Sequence, residues 1–70
     1  MHVNLKNRFL QIRLQRGYRF AKDFADFLEI NSQQYSRYES NKSQPSLEVM
    51  YKAAKKLNMH IEDIIYEEEQ

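Results

Sequence analysis

The sequence predicts an all-α fold: a compact domain of five short helices, the second and third joined by a tight turn. Three observations lead there. The 70 residues hold one glycine, one proline and no cysteine, which leaves little material for hairpins, long loops or disulfide staples. Apolar residues recur at helical spacing in short runs, separated by Asn, Gly or Pro. Ala25, Ile30 and Tyr35 stand five residues apart. That interval fits neither one continuous helix nor a strand, but it does fit two helices meeting across a turn, with Ala25 at the contact and Ile30 in the turn.

The elements follow in order. Leu5, Phe9, Ile12 and Arg16 form the stripe of a first helix, with Asn4 as candidate N-cap and Gly17 as its stop. A second helix runs over about 21–28, turning Phe24, Ala25 and Leu28 inward. A third starts after Asn31, a good N-cap residue, and ends near Glu39 or Ser40. Residues 41–44 read as a polar loop, and Pro45-Ser46 opens a fourth helix with Leu47, Met50, Ala53, Ala54 and Leu57 on its core face. Asn58 tolerates the left-handed conformation and closes it. A short fifth helix is expected from Ile61 to Ile65 or Tyr66. Residues 1–66 thus make the domain, and the acidic tail 67–70, with nothing to bury, is expected to fray.

Composition bounds the function. A chain this short buries only ~60% of its unfolded surface, so stability rests on a dense helical core, aided by any self-association. No segment approaches the roughly 20 apolar residues that span a bilayer, and the first residues lack the apolar region of a signal peptide. A soluble, cytoplasmic protein is expected. Net charge is only +1, but it is unevenly spread. Residues 1–45 carry eight Lys/Arg against four acids, and residues 46–70 carry three against six. One side suited to phosphates and one far side would produce this asymmetry, as would scattered surface charge.

The third helix carries the functional signal. Tyr35 and Tyr38 are three residues apart and face one way; Ser32, Gln33, Ser36 and Arg37 face the other. Gln33 can bond bidentately to adenine and Arg37 to guanine, while the two serines are small enough to admit base edges. An ordinary solvated helix face rich in Ser and Gln has the same composition, so this helix alone does not decide between them.

The wider pattern does more. From Leu5 to Ile65 the chain resembles the lambda repressor/Cro/Xre-type helix-turn-helix family. The resemblance runs through Phe9, Ile12-Arg13, Arg16-Gly17-Tyr18, Phe24-Ala25, Phe27-Leu28, Ile30, Tyr35-Ser36-Arg37-Tyr38-Glu39, Lys42, Pro45-Ser46-Leu47, Met50, Ala53-Ala54, Leu57 and residues 61–65. It implies a five-helix, lambda-repressor-like domain in which the second and third helices form the reader. It also implies a sequence-specific transcriptional regulator of double-stranded DNA, most often a repressor, acting as a homodimer on a two-fold operator. Carried over by position, Ser32, Gln33, Ser36 and Arg37 fall where family members touch bases. Ser40, Asn41, Lys42 and Ser43 fall in the loop that grips phosphate, and Arg13 and Glu39 match a structural ion pair.

Several positions depart from the family. Phe20 and Ala21 stand where Ser-Gln usually caps the second helix and holds a phosphate, which shifts that contact to Arg19, Lys22 and the helix-start N–H groups. Glu29 occupies the turn position where glycine is favoured, Asn41 and Asn58 replace glycines elsewhere, and Tyr35 is larger than the usual aliphatic residue. Leu10 and Leu14 lie off the core stripe of the first helix. They fit scattered surface leucines, a patch covered by Phe20 or the C-terminal residues, or a contact surface for a partner. That last possibility supports the alternative function, an antitoxin or protein-binding adaptor. Ile61, Ile64, Ile65 and Tyr66 are the first expected dimer surface, and residues 44–47 the second. With His2 and His60 as the only histidines and no cysteine, neither metal nor cofactor is expected, and no acid pair supplies a catalytic cleft.

Overall fold

A computed structural model describes residues 4–68. In chain order they form β1 (Leu5–Asn7), α1 (Phe9–Gln15), α2 (Ala21–Leu28), α3 (Ser32–Glu39), α4 (Leu47–Leu57), α5 (Ile61–Ile64) and β2 (Ile65–Glu67). The core is all-α, with five helices as expected. The two short strands add a minor antiparallel ribbon.

That ribbon corrects the reading of both ends. Leu5 pairs with Glu67, Lys6 with Tyr66 and Asn7 with Ile65. Backbone bonds from Arg8 N to the Ile64 carbonyl (2.8 Å) and from Glu68 N to the Asn4 carbonyl (2.9 Å) extend the pairing. The first helix therefore begins at Phe9 rather than Leu5, and Asn4 is not its cap. Arg8 takes that position without a side-chain cap, and Asn7, one residue earlier, accepts from Phe9 N through its Oδ1 at 3.1 Å. Ile65 and Tyr66 are in strand, not helix, and Glu67 and Glu68 are tied to the first strand rather than frayed. The physical reason is mutual: two extended ends satisfy each other's backbone groups, a long-range solution that helical spacing does not reveal. Residues 69–70 of the expected tail lie outside the described residues.

The first four helices end alike. Gly17, Glu29, Asn41 and Asn58 all have positive φ, at 84°, 59°, 61° and 56°. The next residue's N–H then reaches back to a carbonyl in the last turn: Tyr18 to Arg13 (3.1 Å), Ile30 to Ala25 (2.9 Å), Lys42 to Arg37 (2.9 Å) and Met59 to Ala54 (3.0 Å). This is the Schellman closure, which commonly buries an apolar residue just after the left-handed one. Tyr18, Ile30 and Met59 pack on the core in this way. Lys42 instead is exposed.

At their starts, α3 and α4 are capped by side chains. Asn31 accepts from the N–H groups of Gln33 (2.9 Å) and Gln34 (3.2 Å), and Ser46 Oγ accepts from Val49 N (3.2 Å). Each such cap stabilises by about 1 kcal/mol. Phe20, the residue before α2, makes no side-chain cap.

The centre is aromatic. Phe9, Phe24, Tyr35, Met50, Leu57 and Ile64 are fully buried, so every helix contributes at least one. The Tyr35 ring stands edge-on to both Phe9 (5.8 Å) and Phe24 (5.7 Å), joining α3 to α1 and α2. On α4, Met50, Ala53, Ala54 and Leu57 face inward as expected. Leu47, expected with them, is 78% exposed because it occupies the first helical position, beyond the reach of the core.

Candidate nucleic-acid interface

Helix α3 has two distinct faces. Tyr35 and Tyr38 are buried, whereas Ser32, Gln33, Ser36 and Arg37 are all exposed. Ser32 and Ser36, and likewise Gln33 and Arg37, are separated by four residues and so align along one side of the helix. The left-handed Glu29 sets the angle at which α3 leaves α2, and Asn31 occupies the amide groups at the helix start. The result is a rigid helix carrying short polar side chains and one long cation outward. Arg37 makes no ion pair among the described residues.

Arg13 fixes this helix to the rest. Its Nε and Nη2 donate to the two Glu39 carboxylate oxygens at 2.9 and 3.1 Å, a forked pair at the last residue of α3. Its Nη1 donates to the carbonyls of Tyr18 (3.0 Å) and Arg19 (2.6 Å). A single guanidinium thus holds the end of α3 and the α1–α2 loop together, with both side chains of the ion pair largely buried. Beside it the Tyr35 hydroxyl is buried and unpartnered. Burial first, and then the nearby Glu39 carboxylate, push its pKa far above the usual tyrosine value.

The residues expected to meet phosphate divide into two groups. Arg19, Lys22, Ser40 and Lys42 are exposed, and the three cations make no ion pair among the described residues. Arg19 lies over the Phe20 ring at 5.4 Å, and Phe20 itself is 60% exposed. Asn41 and Ser43 are turned the other way. The Asn41 amide bonds to Asn7 and Gln44 through both its oxygen and its nitrogen. Ser43 Oγ is buried without a partner. The loop N–H groups of Asn41, Lys42 and Ser43 are also bonded, to the carbonyls of Tyr38 and Arg37. In this conformation Lys42 and Ser40 are the loop side chains that face outward.

The expected dimer surface is likewise reduced. Ile64 is wholly buried in the chain's own core, and Ile61 and Ile65 are half-buried against it. Tyr66 remains exposed, with the Arg8 guanidinium 4.4 Å from its ring. Leu10 and Leu14 are exposed, at 43% and 57%, so neither Phe20 nor the C-terminal strand covers them. Buried Asn7 and half-buried Gln44 carry an amide cluster that sequence reasoning missed; single amides give no periodic or motif signal. No group of His, Cys, Asp or Glu suited to a metal occurs among the described residues. Nor is any helix among them long and apolar enough to cross a membrane.

Comparison with known proteins agrees with this geometry. A family model described as helix-turn-helix matches residues 10–64. A crystal structure described as that of a "putative DNA-binding protein" from Bacteroides fragilis is 31% identical, with a TM-score of 0.73. The likeness covers 89% of this chain and 98% of that one. No curated protein matches the sequence.

Proposed function

The chain belongs to the helix-turn-helix family of the lambda repressor/Cro/Xre type, a family of DNA-binding regulators, and on that premise we propose that it is a sequence-specific repressor of double-stranded DNA. The observation that carries the reading is the two-faced α3, with its aromatic side locked in the core and Ser32, Gln33, Ser36 and Arg37 free on the other. In this reading α3 enters the major groove, with Gln33 and Arg37 forming bidentate bonds to adenine and guanine. Arg19, Lys22, Ser40 and Lys42 bear on the flanking phosphates, and the α2 start contributes backbone N–H groups. The chain works in the cytoplasm as a homodimer whose two copies of α3 address half-sites about 34 Å apart. Catalysis has no part in it.

Selection from a random duplex pool at low salt tests the proposal. A recurring motif is the expected result, and a pool that stays random contradicts it.

A second reading rests on the exposed Leu10 and Leu14, which mark α1 as a contact surface for a protein partner, as in an antitoxin or adaptor. A Leu10→Glu/Leu14→Glu double variant that binds DNA normally but no longer captures that partner supports it. Unchanged capture contradicts it.

A further inference from the structure

We propose that Asn7 is the positioning residue of the phosphate-gripping loop: through a cluster of three amides it fixes the last turn of α3 and the backbone from which Lys42 projects. The inference rests on the DNA-binding reading above and adds a residue that touches no nucleic acid.

The geometry is closed on every side. Asn7 is 4% exposed. Its Nδ2 donates to the Tyr38 carbonyl and to Gln44 Oε1, both at 2.7 Å, while its Oδ1 accepts from Phe9 N. Its backbone is held as well. Asn7 N donates to Asn41 Oδ1 at 2.8 Å, and Asn41 Nδ2 donates back to the Asn7 carbonyl at 3.3 Å. The Asn41 side chain therefore docks on the free edge of β1 much as a neighbouring strand would. Gln44 completes the cluster, its Nε2 donating to Asn41 Oδ1 (2.9 Å) and to the Leu5 carbonyl (3.3 Å).

Position gives the cluster its function. Tyr38 directly follows Arg37, and Asn41 directly precedes Lys42. Asn41 is left-handed, so the direction of the chain beyond it depends on what holds its side chain. The anchor is β1, which is itself paired with β2 near the other end of the chain. The terminal ribbon thereby sets the loop that faces phosphate. Lys42, whose counterparts at the other helix ends are half-buried apolar residues packed on the core, is presented outward from a fixed base. Asparagine suits the role because one side chain supplies both donors and an acceptor. Densely bonded side-chain networks of this kind favour a single arrangement.

A double-mutant cycle tests the proposal, read as binding of the intact chain to the duplex that the wild-type chain enriches, across a salt series. Amide hydrogen exchange of residues 40–44 without DNA is measured alongside. Asn7→Ala is expected to weaken binding, to flatten the salt slope by about one, and to make a further Lys42→Ala change cost less than it does in the wild type. The Lys42 and Ser43 amides should exchange faster while those of α4 keep their protection. If Asn7→Ala does not fold, Asn41→Gly carries the same test, since glycine accepts the left-handed backbone while removing the amide. A folded variant with wild-type affinity and slope overturns the proposal, as do losses that simply add to those of Lys42→Ala. If the wild-type chain enriches no duplex, the DNA-binding reading fails by itself. The exchange measurement then decides the positioning role, faster loop exchange supporting it and unchanged exchange overturning it.

Discussion

In the proposed DNA-binding role, single side chains separate reading from holding. Arg37 points outward from α3 without an ion-pair partner, so Arg37→Ala should relax preference at one base position while leaving the fold intact. Lys42→Ala should instead weaken binding to all duplexes alike and lower the salt slope by about one, as expected for a lost phosphate contact. Both are read by titrating wild-type and scrambled duplexes over a salt series. Arg13 is a holding residue. Arg13→Ala strands the Glu39 carboxylate beside buried Tyr35 and should cost about 3 kcal/mol or more in denaturant unfolding. Tyr35 behaves differently: its buried hydroxyl lies near the Glu39 carboxylate without a hydrogen bond of ordinary geometry. Tyr35→Phe should leave stability unchanged or raise it by up to about 1 kcal/mol, since it deletes an unpaired buried group. A larger loss would show that the hydroxyl is bonded. Its raised pKa has a definite sign: the contribution is full below the ordinary tyrosine value and declines as pH climbs past it. Wild-type stability should therefore fall in alkali more steeply than that of the Phe variant.

At the scale of elements, the repeated closure of α1 to α4 explains how a chain with one glycine makes four sharp helix ends. Asparagine tolerates the left-handed conformation at two of them; Glu29 is the strained case. Glu29→Gly should raise the melting midpoint, although it removes the ion pair to Lys56 at 2.9 Å. That pair lowers the Glu29 pKa, so its contribution is present above the ordinary carboxylate range and lost as pH falls through the depressed value. The gain from glycine should accordingly be larger in acid than at neutral pH, as followed by thermal melts at both. The extents of α2, α3 and α4 were legible in the sequence because Asn31, Ser46 and Asn58 are local signals at helix ends. So was the orientation of α3, from two tyrosines three residues apart. The ribbon was not legible. Leu5 and Phe9 happen to keep helical spacing, and a three-residue strand whose partner lies some sixty positions away leaves no periodic trace. For the same reason Asn41 read as a phosphate ligand, although its amide is committed to Asn7. Ile64 read as surplus apolar surface although it completes the core.

For the molecule as a whole, the proposed interface lies where three separate constraints converge. The aromatic core sets the depth of α3, the Arg13–Glu39 pair sets its far end, and the Asn7 cluster sets the loop that follows. The exposed cations Arg19, Lys22, Arg37 and Lys42 all belong to the basic N-terminal part of the chain, whereas six of the ten acids fall in residues 46–70. Of the residues expected at a dimer surface, Leu47 and Tyr66 are exposed. A dimer is expected in sedimentation at micromolar concentration, and a monomer persisting on the operator would contradict the two-fold reading. The most direct test of the central claim, that the outer face of α3 reads base sequence, is parallel duplex selection with the wild-type chain and with Arg37→Ala. The expected outcome is a motif that loses preference at one position in the variant and keeps it at the others; an identical motif from both proteins would exclude Arg37 from base reading.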